Sequence, residues 1–96
     1  MTMKIQRAKT TVITELEYTI SGAEPVPKPY TSHSFVPDSM RVTFRAGRPE
    51  SVLLRGHRAL RSGRAGIDLV TQHYSLDWEM ADELPDWVKP YLALDK

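Results

Sequence analysis

Hydrophobic and polar positions alternate over several stretches of this chain. In "TTVITELEYTI", residues 10–20, Val12, Thr14, Leu16, Tyr18 and Ile20 share one parity, and Thr11, Ile13, Glu15, Glu17 and Thr19 the other. A period of two with one apolar side predicts a half-buried strand. "MRVTFRA" repeats the pattern, with Met40, Val42, Phe44 and Ala46 inward and Arg41, Thr43 and Arg45 outward. The turn chemistry of "GRPE" then leads into "SVLLRGHRAL", residues 51–60. As a strand this segment buries Val52, Leu54 and Leu60, sets Gly56 flat between them and turns Arg55 and His57 outward. As a helix it begins at Pro49 and Glu50 and ends at Gly63, but must carry Gly56 mid-run, about 1 kcal/mol worse than alanine. Alternation and the short turn favour the strand.

Beyond the glycine-punctuated "RSGRAG", the segment "IDLVTQHYS" places Ile67 and Leu69, then Val70 and Tyr74, so the alternation slips by one residue and implies a bulge. "SLDWEMADELPDWVKPYLALDK" reads as helix, capped by Ser75 or Asp77, with acids in its first turn and Trp78, Leu84, Trp87, Val88, Tyr91 and Leu92 as apolar faces. Pro85 and Pro90 interrupt it, giving one short piece before Pro85 and one starting there. The expected architecture is α+β: a three- to four-stranded antiparallel meander with one or two short C-terminal helices packed on one face.

Between the first two strands lies "AEPVPKPYTSHSFVPDS", with prolines at 25, 27, 29 and 37. Proline removes backbone donors and extends its neighbours, so residues 22–39 read as a proline-rich loop. Either Tyr30 and Phe35 lie back on the core, or the loop exposes Tyr30, with or without Phe35, as a recognition surface. The spacing at 25, 27 and 29 does not match a PxxP ligand.

At 96 residues, 41% hydrophobic and 26% charged, the chain is expected to form a single domain over 1–96, with residues 1–9 as a flexible N-terminal stretch. It contains no cysteine, which excludes disulfides, thiolate metal sites and thiol nucleophiles, and fits a reducing cytoplasm. Lys4, Arg7 and Lys9 are not followed by an apolar signal core, and no window approaches the roughly eighteen apolar residues of a membrane span. The expected location is cytoplasmic, without membrane contact.

Charge narrows the choices further. The formal net charge is +1, yet residues 41–64 carry seven arginines against Glu50, while residues 65–96 carry seven acids against Lys89 and Lys96. The arginine run suggests a nucleic-acid site that neutralises ~4 to 6 phosphates. Two features oppose it. Phe44, the only aromatic within the run, has inward parity, whereas single-strand binders stack bases on exposed rings. Glu15 and Glu17 have outward parity on the first strand and can pair across to Arg41, Arg45 or Arg55.

Catalytic constellations are lacking. His33, His57 and His73 have no metal-ligand spacing, the acids of "ADELPD" read as a solvated helix start, and no phosphate-binding glycine loop or GxSxG elbow occurs. No catalytic, cofactor-binding or metal-ligating residue is assigned, no cofactor is expected, and the chain is not expected to be an enzyme. The leading expectation is a small interaction or regulatory protein that binds a protein partner. Its candidate surface comprises Tyr30, Arg41, Arg45, Arg48, Arg55, Arg58, Arg61 and Arg64, and an exposed strand edge can join two copies as a homodimer. The alternative is a nucleic-acid binder using the arginine-rich 41–64 hairpin. On the strand reading Arg58 points inward, toward the acidic C-terminal segment; on the helix reading it joins Arg55 and Arg61 in a basic stripe.

The hairpin "VTFRAGRPESVLLRGHRAL" followed by "LPDWV" resembles small uncharacterised accessory proteins of actinobacteria and their phages, over about residues 10–92. The resemblance implies a cytoplasmic accessory protein encoded by an actinobacterium or by one of its phages, and transfers no functional residues.

Overall fold

The computed structural model describes residues 12–76 and 82–92. Five strands form one antiparallel sheet: β1 (Ile13–Thr19), β2 (Val26–Pro27), β3 (Ser34–Arg45), β4 (Arg48–Ala59) and β5 (Ala65–Ser75). The order is β1-β3-β4-β5, and the two-residue β2 pairs with the start of β3, ahead of the stretch that pairs with β1. A 3-10 helix follows at Asp86–Leu92.

The antiparallel sheet matches the sequence expectation, and residues 51–60 lie in strand up to Ala59 rather than in helix. Buried Val52 and Leu54 alternate with more exposed Leu53 and Arg55, as a pleated strand requires. The C-terminal expectation needs correction. The described segment after Pro85 is a 3-10 helix that runs through Pro90 to Leu92, so Pro90 does not end it as the sequence pattern implied. Of the piece expected before Pro85, residues 77–81 lie outside the described residues, as do residues 1–9. The described chain is thus mostly β. None of its helices is long and apolar enough to cross a membrane.

The proline-rich loop is also shorter than expected, because residues 34–39 are the first half of β3. Alternation there is hidden by a bulge. Pro37 pairs with Gly56 and Ser39 with Arg55, which leaves Asp38 without an opposite residue. Before it Phe35 and Pro37 face the core; after it Met40, Val42 and Phe44 do. One inserted residue reverses parity, and the strand turns its apolar side inward on both sides of the bulge. A second bulge leaves Glu50 unpaired in β4, between Pro49 opposite Phe44 and Ser51 opposite Thr43.

In β5 the inward residues are Val70, Gln72 and Tyr74, a single parity without the expected mid-strand slip. The irregularity lies nearer the turn, where His57 pairs with Leu69 but Ala59 with Ala65. Ile67 and Leu69 are consequently 94% and 82% exposed rather than buried. Val12, Ala46 and Leu60, also given inward parity by the pattern, lie exposed at strand ends.

The core occupies one face of the sheet. Phe35, Val42, Phe44, Val52, Leu54 and Tyr74 are fully buried there, and Leu84 and Val88 of the C-terminal segment close over them. Tyr91 packs on Tyr18 of β1, with ring centroids 4.9 Å apart and planes tilted by 60°. That aromatic contact ties the C-terminal segment to the edge strand.

Candidate interaction surface

The arginine run is dispersed by the hairpin that contains it. Arg41 lies opposite Glu17 in the β1–β3 register and donates from Nε (2.8 Å) and Nη2 (2.6 Å) to Glu17 Oε1. This hydrogen bond and the carboxylate charge raise the Arg41 pKa still further. Arg45 is paired too, though its Nε donates to Glu50 Oε1 at 2.9 Å rather than to a carboxylate of β1. The β4 bulge places Glu50 within reach. Both arginines therefore serve the sheet, as cross-strand charge pairing on an exposed face does.

The others point elsewhere. Arg48 begins β4, exposed at the Ala46–Gly47 turn. Arg55 is exposed on the open face between Ser39 of β3 and Thr71 of β5, with no ion pair to the described residues. Arg58 is exposed and does not meet the described residues of the acidic segment expected from its parity; its Nη2 donates to His33 Nδ1 at 2.9 Å. Arg61 and Arg64 are exposed in the β4–β5 turn, which Leu60 N closes on Arg64 O at 2.8 Å.

Arg58, Arg61 and Arg64 thus share one end of the sheet, and the proline-rich segment joins them. Lys28 and His33 line a cleft of about 200 Å³ together with Arg58, Asp68 and Leu69. Between Lys28 and His33 the chain makes a tight turn, with Thr31 N donating to Lys28 O at 3.2 Å and Lys28 N to His33 O at 3.0 Å. Tyr30 sits within that turn at φ 64°, with its ring 92% exposed. Phe35, by contrast, is fully buried, so the two rings of this segment take opposite roles. An aromatic residue in the left-handed region is strained by ~1–2 kcal/mol, and an exposed ring returns no burial to offset it.

Apolar groups that the pattern placed inward complete this end. Leu60, Arg61 and Ile67 line a second cleft with Arg58 and Asp68. Counting back by twos from buried Tyr74 identifies Ile67 and Leu69 as outward residues. His33 and Lys28 carry no such signal, because folding of the proline-rich segment brings them to Arg58. A larger cleft, of about 570 Å³, separates Glu24, Pro25 and Pro27 from Glu83, Pro85 and Trp87. His57 Nδ1 lies 3.4 Å from Asp38 Oδ2 on the open face. Among the described residues no group of three or more His, Asp or Glu side chains is placed to hold a metal ion.

No protein-family model, curated protein or solved structure matches this chain.

Proposed function

We propose that this protein is a small cytoplasmic accessory protein without catalytic activity, and that it docks a protein partner at the end of the sheet formed by the β4–β5 turn and the Tyr30 turn. The observation that carries this reading is the exposed Tyr30 ring, held on a left-handed backbone at the end that also presents Arg58, Leu60, Arg61 and Arg64. Tyrosine and arginine anchor protein interfaces because each combines large contact area with directional hydrogen bonds. Leu60 and Ile67 supply the apolar contact a protein surface fills, and the cations select an acidic partner face.

One observation favours a second reading. Tyr30 supplies the exposed ring that the arginine run lacks, so single-stranded nucleic acid could stack on it while Lys28, Arg58, Arg61 and Arg64 meet phosphates. Against this, Arg41 and Arg45 are already paired, and Arg48 lies at the far end of β4, about 40 Å away along twelve residues of strand.

Photo-crosslinking from position 30, with Thr43 on the open face as control, tests the protein reading. Its expected result is a protein adduct from position 30 alone, lost when Arg58, Arg61 and Arg64 become alanine. Titration with labelled single- and double-stranded DNA and RNA at two salt concentrations tests the other. Salt-sensitive binding weakened by the same three substitutions overturns the protein reading.

A further inference from the structure

The β5 strand ends the sheet. It is hydrogen-bonded to β4 along one side, and no described strand pairs with its other side. An edge strand turns the N–H and C=O of every second residue outward, ready to template another strand. Proteins guard such edges with lysine, proline, inward charges, bulges or short length, and β5 carries a register irregularity between Ala65 and Leu69, confined to its turn end. β5 runs for eleven residues, "AGIDLVTQHYS", without lysine, arginine or proline, and Asp68 is its only acid. The opposite edge differs: β1 has seven residues and carries Glu15 and Glu17. The exposed Ile67 and Leu69 lie on β5 itself, and Leu69–Ser75 pairs regularly with Ser51–His57 of β4, so this part of the edge is straight enough to accept a partner.

We propose that the free edge of β5 binds the β5 strand of a second copy, antiparallel about a two-fold axis at Val70, so that one sheet continues through both copies. Val70 is the midpoint of β5, and a two-fold axis there pairs the greatest length of strand, with the irregular stretch between Ala65 and Leu69 drawn into line on pairing. In this register Leu69 faces Thr71 of the second copy, Ile67 faces His73, and Asp68 faces Gln72, so no acid meets an acid. A shift of the axis to Asp68 would set the two carboxylates against each other. Like charges directly opposite are destabilising, which disfavours that register. The formal net charge of +1 leaves little repulsion between copies.

Pairing at β5 shares Ile67 and Leu69 with the clefts at the Tyr30 end but does not use Tyr30, so substitution of Tyr30 tells the two proposals apart.

The absence of cysteine makes the test clean. Single-cysteine variants at Ile67, Leu69, Val70, Thr71 and His73 are oxidised and the disulfide-linked dimer measured. In an antiparallel pair only the central residue faces its own copy, with Cα atoms ~4.5–5.5 Å apart, within disulfide reach. Crosslinking is therefore expected to peak at Val70→Cys and to fall off toward Ile67→Cys and His73→Cys. Light scattering on the unmodified chain should give twice 10.9 kDa at high concentration. Leu69→Lys, at an exposed position, should keep the β circular dichroism spectrum and weaken self-association at least tenfold, while Tyr30→Ala leaves it unchanged. A mass that stays at 10.9 kDa at every concentration, or crosslinking equal along the strand, overturns the proposal.

Discussion

Gly56 of β4 lies opposite Pro37 of β3, so close that a Cβ on Gly56 would fall 2.6 Å from the Pro37 Cα and collide with the Val36 carbonyl. The Asp38 bulge draws the two strands together here, and the atoms in the way are backbone, which cannot step aside. Gly56→Ala is therefore expected to cost about 3 kcal/mol or more, at the upper end of overpacking. Chemical denaturation would measure it, and a loss below 1 kcal/mol would show that the strands are not so tightly apposed.

Tyr30 should reveal a conflict between stability and binding. Its left-handed backbone suits glycine, and its exposed ring loses no burial on removal. Tyr30→Gly is expected to stabilise the fold by ~1 kcal/mol, or ~4–8 °C in melting temperature for a domain of this size, while abolishing the partner adduct formed from a crosslinker at the neighbouring Thr31. Destabilisation would mean that the ring packs on the protein.

The β3–β4 hairpin turns through Ala46 and Gly47, at φ 51° and 80°. Two positive φ values mark a type I′ turn, whose first central position prefers asparagine or glycine over alanine. Ala46→Asn should raise the thermal midpoint, by roughly 0.5–1 kcal/mol of stability, without altering the circular dichroism spectrum. Gly47→Ala should lower it by a similar amount.

Tyr74 is fully buried, and its hydroxyl has no hydrogen-bond partner among the described residues. Burial, with a smaller contribution from the Glu83 charge, pushes its pKa up to about 12 from an ordinary value of 10.0. The folded state therefore holds this proton more tightly than the unfolded state. The stability it contributes is complete below pH 10 and is lost as pH rises from there through about 12, at up to ~1.4 kcal/mol per pH unit. Denaturant midpoints across that range should fall in the wild type and fall less in Tyr74→Phe. At neutral pH the same substitution should be neutral or stabilising by up to about 1 kcal/mol, because it removes an unpaired buried hydroxyl.

Much of the sheet was legible in the sequence because alternation is a local property. The faces of Leu16 and Tyr18, of Val42 and Phe44, and of Val52 and Leu54 follow from residues two apart, and they agree with the structure. The pairing of Arg41 with Glu17 follows from outward parity on neighbouring strands. Turn chemistry at Gly47 and Gly63 was equally visible, since both lie at positive φ.

Register is different, because it relates two strands rather than one. The bulges at Asp38 and Glu50 exist only against a partner strand, and they decide that Phe35 is core, that Gly56 admits no side chain and that Arg45 meets Glu50. Which end of the sheet gathers Tyr30, Lys28, His33 and Arg58 depends on where the proline-rich segment folds back, a packing outcome without a local signature. The same holds for Ile67 and Leu69: their apolar character and their parity against Tyr74 were plain in the sequence, but that their face of the sheet is covered by no described segment was decided by packing. Hydrophobic patterning determined the elements and their faces; tertiary structure decided which charges are neutralised and which remain free, because neutralisation requires two side chains brought together from distant positions in the chain.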